Sequence, residues 1–398
     1  MRILHLIDAA SPQANSSTLA LLAASQNRLG QTQQEVVLLG PPSLAEAAGH
    51  VGIHGADQLP VPYGRAYLGY SSLRRKWGGR HNQFKGFDVI HCWSVGALSL
   101  AKLLFSHTPR LLTVTTMPTP RTSRWLRVLT NDSAGRDFLL PISSTLSRAL
   151  RGSGIDKSTV HVLRPGIDMS WITHDDRVAL RQRWGIDSDD VCVVALLCDP
   201  PHVSDAIDAA MAVILADEAY QANQADADTK MRFHLLIHPN QKNRRRAENM
   251  MRHIGRGKHI SRERRLARPW QVLGGCDFTL AQGSGGGGLS LLWAMAANVP
   301  IVGEATYSTS EIVEDRHSAL LAKPDQPKDL AHRLVRLASD PQLAWKLRDT
   351  ARHEAYSFFS RQRYCQSLQT IYQQIAEGQS IEVPPMEPTG GLRFAGRV

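Results

Sequence analysis

Short apolar runs alternate along this chain with longer stretches whose apolar residues recur at helical spacing. The first run, Ile3-Leu-His-Leu-Ile7, opens into Asp8-Ala-Ala-Ser-Pro12 and reads as a buried strand leaving its carboxyl end into a loop. Leu19 to Leu29 carries the helical spacing, and Glu35-Val-Val-Leu-Leu39, closed by Gly-Pro-Pro, is the next strand. Asp88-Val-Ile-His91, Leu111-Leu-Thr-Val-Thr115 and Phe138-Leu-Leu-Pro-Ile142 continue the series. A second copy of the same grammar follows, through Asp190–Leu197, Phe233–Ile237, Phe278–Ala281 and Pro300–Val302. Continuous apolar runs of this kind suit parallel strands covered by helices on both faces. The pattern predicts an α/β chain of two halves joined near residues 165–175. From Asp329 to about Gln374 it is nearly all helical, and the tail after Gly378 has no periodicity and is expected to be disordered. Open parallel sheets take ligands outside the carboxyl ends of their strands, so two sheets with facing ends would form a cleft.

Composition narrows the class without naming a function. A length of 398 residues with 42% hydrophobic and 21% charged residues excludes a mostly disordered, collagen-like or membrane-embedded chain. The N-terminal run is broken by His5 and Asp8, unlike a secretory signal, so the expected location is cytoplasmic. Cys92, Cys192, Cys198, Cys276 and Cys365 form no CxxC pair, which supports neither a disulfide framework nor a zinc site. His234 and His238, four apart on a strand, make no metal motif, so no metal or other cofactor is expected.

The net charge of +10 is concentrated, because the segment from Lys242 to Arg268 holds eleven Lys or Arg against Glu248 and Glu263. Such a field favours an anionic partner, while the plain alternative is a solvated helical face. With Trp270 the only nearby aromatic, a base-stacking platform is not evident and no nucleic acid is expected. An anionic membrane surface is the better match, which would place the protein peripherally on the inner membrane face.

The most informative stretch is Cys276-Asp-Phe-Thr-Leu-Ala-Gln-Gly-Ser284-Gly-Gly-Gly-Gly288-Leu-Ser-Leu-Leu-Trp293-Ala-Met-Ala-Ala-Asn-Val-Pro300-Ile-Val302, which reads strand, glycine loop, helix, strand. Glycines directly before a helix let an anion approach its open N–H groups, where the helix dipole also favours negative charge. A flexible connector is the alternative. No Lys-Ser or Lys-Thr follows the glycines, so this is not a P-loop. Gly283-Ser284-Gly285 imitates a nucleophile elbow without its spacing.

From Cys276 to Pro341 the order of motifs resembles the C-terminal half of GT-B glycosyltransferases of family 4 type. The pieces are the glycine loop, Leu-Leu-x-Ala-Met-Ala-Ala-x-Val-Pro-Ile-Val, Ser310-Glu311-Ile-Val-Glu-Asp315, Ala319-Leu-Leu-Ala, Lys323-Pro-Asp-Gln-Pro and Ala338-Ser-Asp-Pro341. Looser matches are Met1-Arg-Ile-Leu-His-Leu-Ile, Leu140-Pro-Ile-Ser-Ser144 and Arg164-Pro-Gly-Ile-Asp168. The resemblance implies two Rossmann-like domains facing across a cleft. Their expected extents are 1–168 on the acceptor side and 169–350 on the donor side, with helices of 351–377 packing back on the first domain and a tail over 378–398. It also implies metal-independent, retaining transfer from a nucleotide-sugar to a glycan or lipid-linked acceptor, in polysaccharide or glycolipid assembly.

Residue by residue, the family's two glutamates fall on Gly285 and Trp293, and its Arg and Lys fall in Leu197–Asp205, where neither occurs. The paired glycines after the first strand are Gln13-Ala14, and the usual histidine is replaced by Thr115-Thr116-Met117. Each lost carboxylate–hydroxyl pair removes roughly 1.5–3 kcal/mol. What remains is a backbone cradle of Gly286, Gly287, Gly288 and Leu289, with Ser284 beside it and Glu311 as a donor-side acid or a helix N-terminal carboxylate. Lys242 or Arg244 could replace the missing cations, and Trp293 could fill the vacated space as core. Two readings follow: a glycosyltransferase with a rebuilt donor site, or an inactive GT-B protein serving as accessory or scaffold subunit.

Overall fold

A computed structural model describes residues 1–8, 16–25, 32–53, 55–59, 61, 71, 86–131, 135–172, 177–186, 190–197, 205–223, 232–282 and 288–383. Two compact units emerge, one from Met1–Asp168 with Ser357–Val398 and one from Met169–Tyr356.

The first unit is a six-stranded, wholly parallel sheet. Its strands are β1 (Arg2–Asp8), β2 (Gln33–Leu39), β3 (Asp57–Leu59), β4 (Val89–Cys92), β5 (Arg110–Val114) and β6 (Asp137–Pro141), in the order β3-β2-β1-β4-β5-β6. The apolar runs supply a core that includes Leu4, Leu6, Ile90, Leu98, Leu112 and Leu139. The crossover helix Val95–Leu104 and the helix Ser144–Gly152 that follows β6 begin on serine caps, Ser94 Oγ accepting from Ala97 N–H at 3.0 Å and Ser143 Oγ from Leu146 N–H at 3.1 Å. The helix Arg361–Ala376 belongs to this unit. Cys365 Sγ donates to the Ala24 carbonyl at 2.8 Å, and Arg361 pairs with Asp168 at 2.5 Å. Gly166 makes this approach possible, because a Cβ there would lie 2.4 Å from Tyr364 Cβ and 2.7 Å from the Ser360 carbonyl.

The second unit repeats the plan with β7 (Val191–Leu197), β8 (Arg232–Ile237), β9 (Ile260–Arg262), β10 (Phe278–Ala281), β11 (Ile301–Glu304) and β12 (Leu320–Ala322), all parallel, in the order β12-β11-β10-β7-β8-β9. Helices Ala206–Asn223 and Pro327–Ser339 pack on the sheet over a core that includes Val194, Leu196, Ala209, Val213, Leu280 and Leu334. At the amino ends of the central strands, Asp277 is clamped by Arg177 and Arg181 and accepts from Val193 N–H at 2.7 Å. One carboxylate thus ties the start of β10 to β7.

The long strands lie where the apolar runs predict them. Three strands have no counterpart among the predicted runs: β3, β9 and β12, each three residues long and each at a sheet edge. Three residues are too few to show a period of two, and edge strands need not be apolar throughout. The C-terminal helical stretch resolves into Pro327–Ser339, Pro341–Phe358 and Arg361–Ala376. The tail from residue 384 onward lies outside the described residues.

Candidate functional site

In both sheets the strand order reverses about the unit's first strand, between β1 and β4 and between β7 and β10. The carboxyl ends of such neighbours diverge into loops on opposite faces and leave a crevice suited to ligands. In the second unit β10 ends at Ala281 at this reversal, and the next described helix begins at Leu289. Ser284, Gly285, Gly286 and Gly287 of the anticipated cradle lie outside the described residues, as do Gln13 and Ala14.

Gly288 is the N-cap of the helix Leu289–Ala296, with φ +72°. A Cβ at this position would lie 2.4 Å from Ile312 Cδ1, so the residue is fixed as glycine by both its backbone and its neighbour. The Ile312 contact carries the segment of Glu311 to the start of that helix. Glu311 is 6% exposed and closes the short helix Tyr307–Ser310 at its carboxyl end. It is therefore not a helix N-terminal carboxylate, which removes the dipole explanation offered for it on sequence grounds.

All eight residues of Leu289–Ala296 are buried, Leu289 included. Trp293 is 2% exposed and lies against Trp270, with centroids 4.5 Å apart, and against Trp171, 5.9 Å apart. The position where the resemblance expects a ribose-binding glutamate is thus part of a three-indole cluster. Indoles of this size contribute packing energy and offer no acceptor to a hydroxyl.

The two cations singled out from the sequence have different surroundings. Lys242 is at the carboxyl end of β8, 58% exposed, with Nζ 3.4 Å from Asp205 Oδ2. Its carbonyl accepts from Ala206 N–H at 3.0 Å, which joins the exit of β8 to the helix that follows β7. Arg244 is turned to Glu248, at 3.0 and 2.9 Å, and Glu248 also takes Arg262 at 2.6 Å.

The wider basic segment is less charged than its local count implies, because acids from elsewhere reach it. Asp217 and Glu218 pair with Arg256 at 3.0 and 3.7 Å and Asp205 with Lys242, while within the segment Glu263 pairs with Arg265 at 3.3 Å. Among the described residues, Arg245, Arg246, Arg252, Lys258, Arg264 and Arg268 have no carboxylate partner.

Other polar residues, none of them put forward from the sequence as a donor-binding group, stand at the carboxyl ends of strands in one or other sheet. His238 directly follows β8 and is buried; desolvation takes its pKa down to about 4, so it is neutral at pH 7, with Nδ1 accepting from Asn240 N–H at 3.1 Å. Glu304 ends β11, is 5% exposed and accepts from Asp325 N–H at 3.3 Å. At the reversal in the first unit, Asp8 ends β1 with its carboxyl 6% exposed and Oδ1 without a hydrogen bond; burial raises its pKa to about 6. Strand ends were the available signal, since each is the first polar residue at or just past a β run. Among the described residues no group of three or more His, Cys, Asp or Glu is placed to hold a metal ion.

Residues 216–354 match the sequence model of the family described as Glycosyl transferases group 1. No curated protein matches the chain. Among solved structures, Alr3699/HepE from Anabaena, in complex with UDP and glucose, superposes with a TM-score of 0.71 at 15% identity over 93% of this chain and 98% of that one. A glycosyltransferase from Rickettsia africae gives 0.68 at 12% identity, covering 95% and 99%. Sucrose-phosphate synthase from Thermosynechococcus elongatus gives 0.67 at 13%, covering 95% and 100%. These likenesses show the fold, which is α/β with two parallel six-stranded sheets as in GT-B glycosyltransferases.

Proposed function

We propose that the chain is a metal-independent glycosyltransferase of family 4 type, which moves a sugar with retention from a nucleotide-sugar to a glycan or lipid-linked acceptor. The observation that carries this reading is Gly288, the left-handed N-cap of the helix that follows β10 at the β7/β10 reversal, within a unit most of which matches the group 1 glycosyltransferase family. In this reading the backbone N–H groups of Gly286, Gly287, Gly288 and Leu289 hold the diphosphate, aided by the positive end of the helix dipole. Lys242, exposed at the neighbouring strand end, supplies a cation as the diphosphate leaves, and Glu311 accepts from a hydroxyl of the donor sugar. The binding of UDP and UDP-glucose by the Anabaena protein supports a nucleoside-diphosphate sugar as donor.

Calorimetric titration with UDP-, GDP- and ADP-sugars tests the reading. One of them is expected to bind saturably, with affinity reduced tenfold or more by Gly286→Asp, which sets a carboxylate against the diphosphate. Absence of binding and of turnover across the panel would overturn it.

Trp293 favours a second reading, an accessory or scaffold subunit without transferase activity in polysaccharide or glycolipid assembly. Its buried indole takes the place of the carboxylate that the family resemblance expects. This reading expects a stable partner in pull-down and no effect of Gly286→Asp on that partner's activity. In either case the six unpaired cations of 242–268 would serve attachment to the cytoplasmic face of an anionic membrane. Vesicle binding that falls steeply with added salt is the expected sign. No helix among the described residues is long and apolar enough to cross a membrane.

A further inference from the structure

The second unit holds a cavity of about 560 Å³ at the amino ends of its strands, the opposite edge from the glycine segment. Its volume lies in the range of roughly 300–1,000 Å³ typical of small-molecule sites. The floor is apolar, made by Val191 and Phe278 at the starts of β7 and β10, Val299 before β11, and Leu337. One face of the helix Pro341–Phe358 forms a wall, with Trp345 and Arg348 three residues apart and therefore adjacent on the helix surface.

Among the described residues the charges around it do not cancel. Arg177 and Asp277 line the cavity, and the Asp277 carboxylate is shared between Arg177 and Arg181. Arg348 is only half-buried, and among the described residues it has neither a carboxylate nor a hydrogen-bond partner; its Nε is out of reach of water. Asn298, held at φ +59°, also lines the cavity, with its Oδ1 buried and unbonded. A guanidinium left without an acceptor in a partly desolvated wall is costly unless a ligand completes it. Trp345 is 59% exposed and lines the same wall. Cys192 and Cys276 lie in the lining too, but burial pushes both thiols upward in pKa, so they remain protonated and act as apolar surface.

We propose that this cavity binds a small planar organic anion, a ring system bearing a single carboxylate, with the ring on Trp345 over the apolar floor and the carboxylate on Arg348. An unpaired guanidinium calls for an anion, and a planar carboxylate is one whose two oxygens accept from its fork in two parallel hydrogen bonds. The site does not rest on the transferase reading: it lies at the other end of the sheet and uses none of the same residues.

Titration of the whole protein with 1-naphthoate, followed by calorimetry and saturation-transfer NMR, tests the site, with 1-naphthamide as the uncharged control. Naphthoate is expected to bind more tightly than naphthamide. Arg348→Gln is expected to weaken naphthoate about tenfold and leave naphthamide unchanged, while Trp345→Ala reduces saturation of the ring protons. UDP is expected not to compete. Trp345 is exposed and Arg348 bonds to no other described residue, so the variants should keep the parent's thermal transition. Lack of naphthoate binding, equal affinity for the two probes, insensitivity to both substitutions, or displacement by UDP would each overturn the proposal.

Discussion

The ring of Trp293 lies parallel to that of Trp171, with centroids 5.9 Å apart and an interplanar angle of 8°. Trp270 completes the cluster at 4.5 Å from Trp293. Three segments distant in sequence therefore meet at the helix behind the glycine segment, and a carboxylate at position 293 would be desolvated between two indoles. Trp293→Glu is expected to cost more than the ~3–5 kcal/mol typical of removing a core tryptophan, because it adds a buried charge. Trp293→Phe should cost clearly less. Urea denaturation of the three proteins checks the order, and a Glu variant as stable as the parent would show that the indole is not a core element.

A second expectation concerns Gly288. Its φ of +72° costs a non-glycine residue ~1–2 kcal/mol, and a Cβ would run into Ile312 at 2.4 Å. Gly288→Ala should lower stability by at least that amount and also weaken binding of any ligand held by the following amides. Combining it with Ile312→Ala relieves the contact but not the dihedral. A double-mutant cycle should therefore show coupling of about 0.5 kcal/mol or more, with the Gly288→Ala penalty smaller in the Ile312→Ala background.

The long strands and the helix Leu289–Ala296 after the glycines were legible in the chain because each is a local pattern of eight residues or fewer. The three-residue edges β3, β9 and β12 were not, being shorter than the period that would mark them. Charge was legible as a sum but not as a field. Asp205, Asp217 and Glu218 neutralise cations of 242–268 from helices and turns earlier in the chain, which a window count does not register. Likewise Trp171, Trp270 and Trp293 form a cluster only through the fold. His238 and Glu304 became site candidates only when the strand order put β8 and β11 beside the reversal.

Asp8 gives a third expectation. Its folded-state pKa of about 6 lies above the ordinary value of 3.8, because burial disfavours the carboxylate. Its contribution is therefore fully present below pH 3.8 and is lost as pH rises through 6, about 3 kcal/mol in all for such a shift. Asp8→Asn, which cannot ionise, should match the parent near pH 4 and exceed it by an amount of that order at pH 7–8. Chemical denaturation at the two pH values measures the difference. A constant difference between variant and parent would show that Asp8 is ionised in the fold throughout.

The buried histidines should act in the opposite direction. Burial lowers His5 to about 3, His234 and His238 to about 4, and His91 well below the usual 6.5. In the first unit His91 is locked between Tyr372 Oη at 2.5 Å and Thr113 Oγ1 at 2.7 Å, and Trp93 Nε1–H donates to His5 Nδ1 at 3.1 Å. Each ring stays neutral in the fold, whereas the unfolded chain takes up a proton below pH 6.5. The stability due to each neutral ring is complete above pH 6.5 and falls by about 1.4 kcal/mol per pH unit as the solution is acidified toward the folded pKa. With four such rings against Asp8, the protein should lose stability steeply between pH 6.5 and 4. His234 Nε2 has no hydrogen bond, so His234→Gln removes the titration without breaking a network at that atom. Its plot of unfolding free energy against pH should be shallower than the parent's by about one proton over this interval. Parallel plots would mean that His234 is already protonated in the folded state.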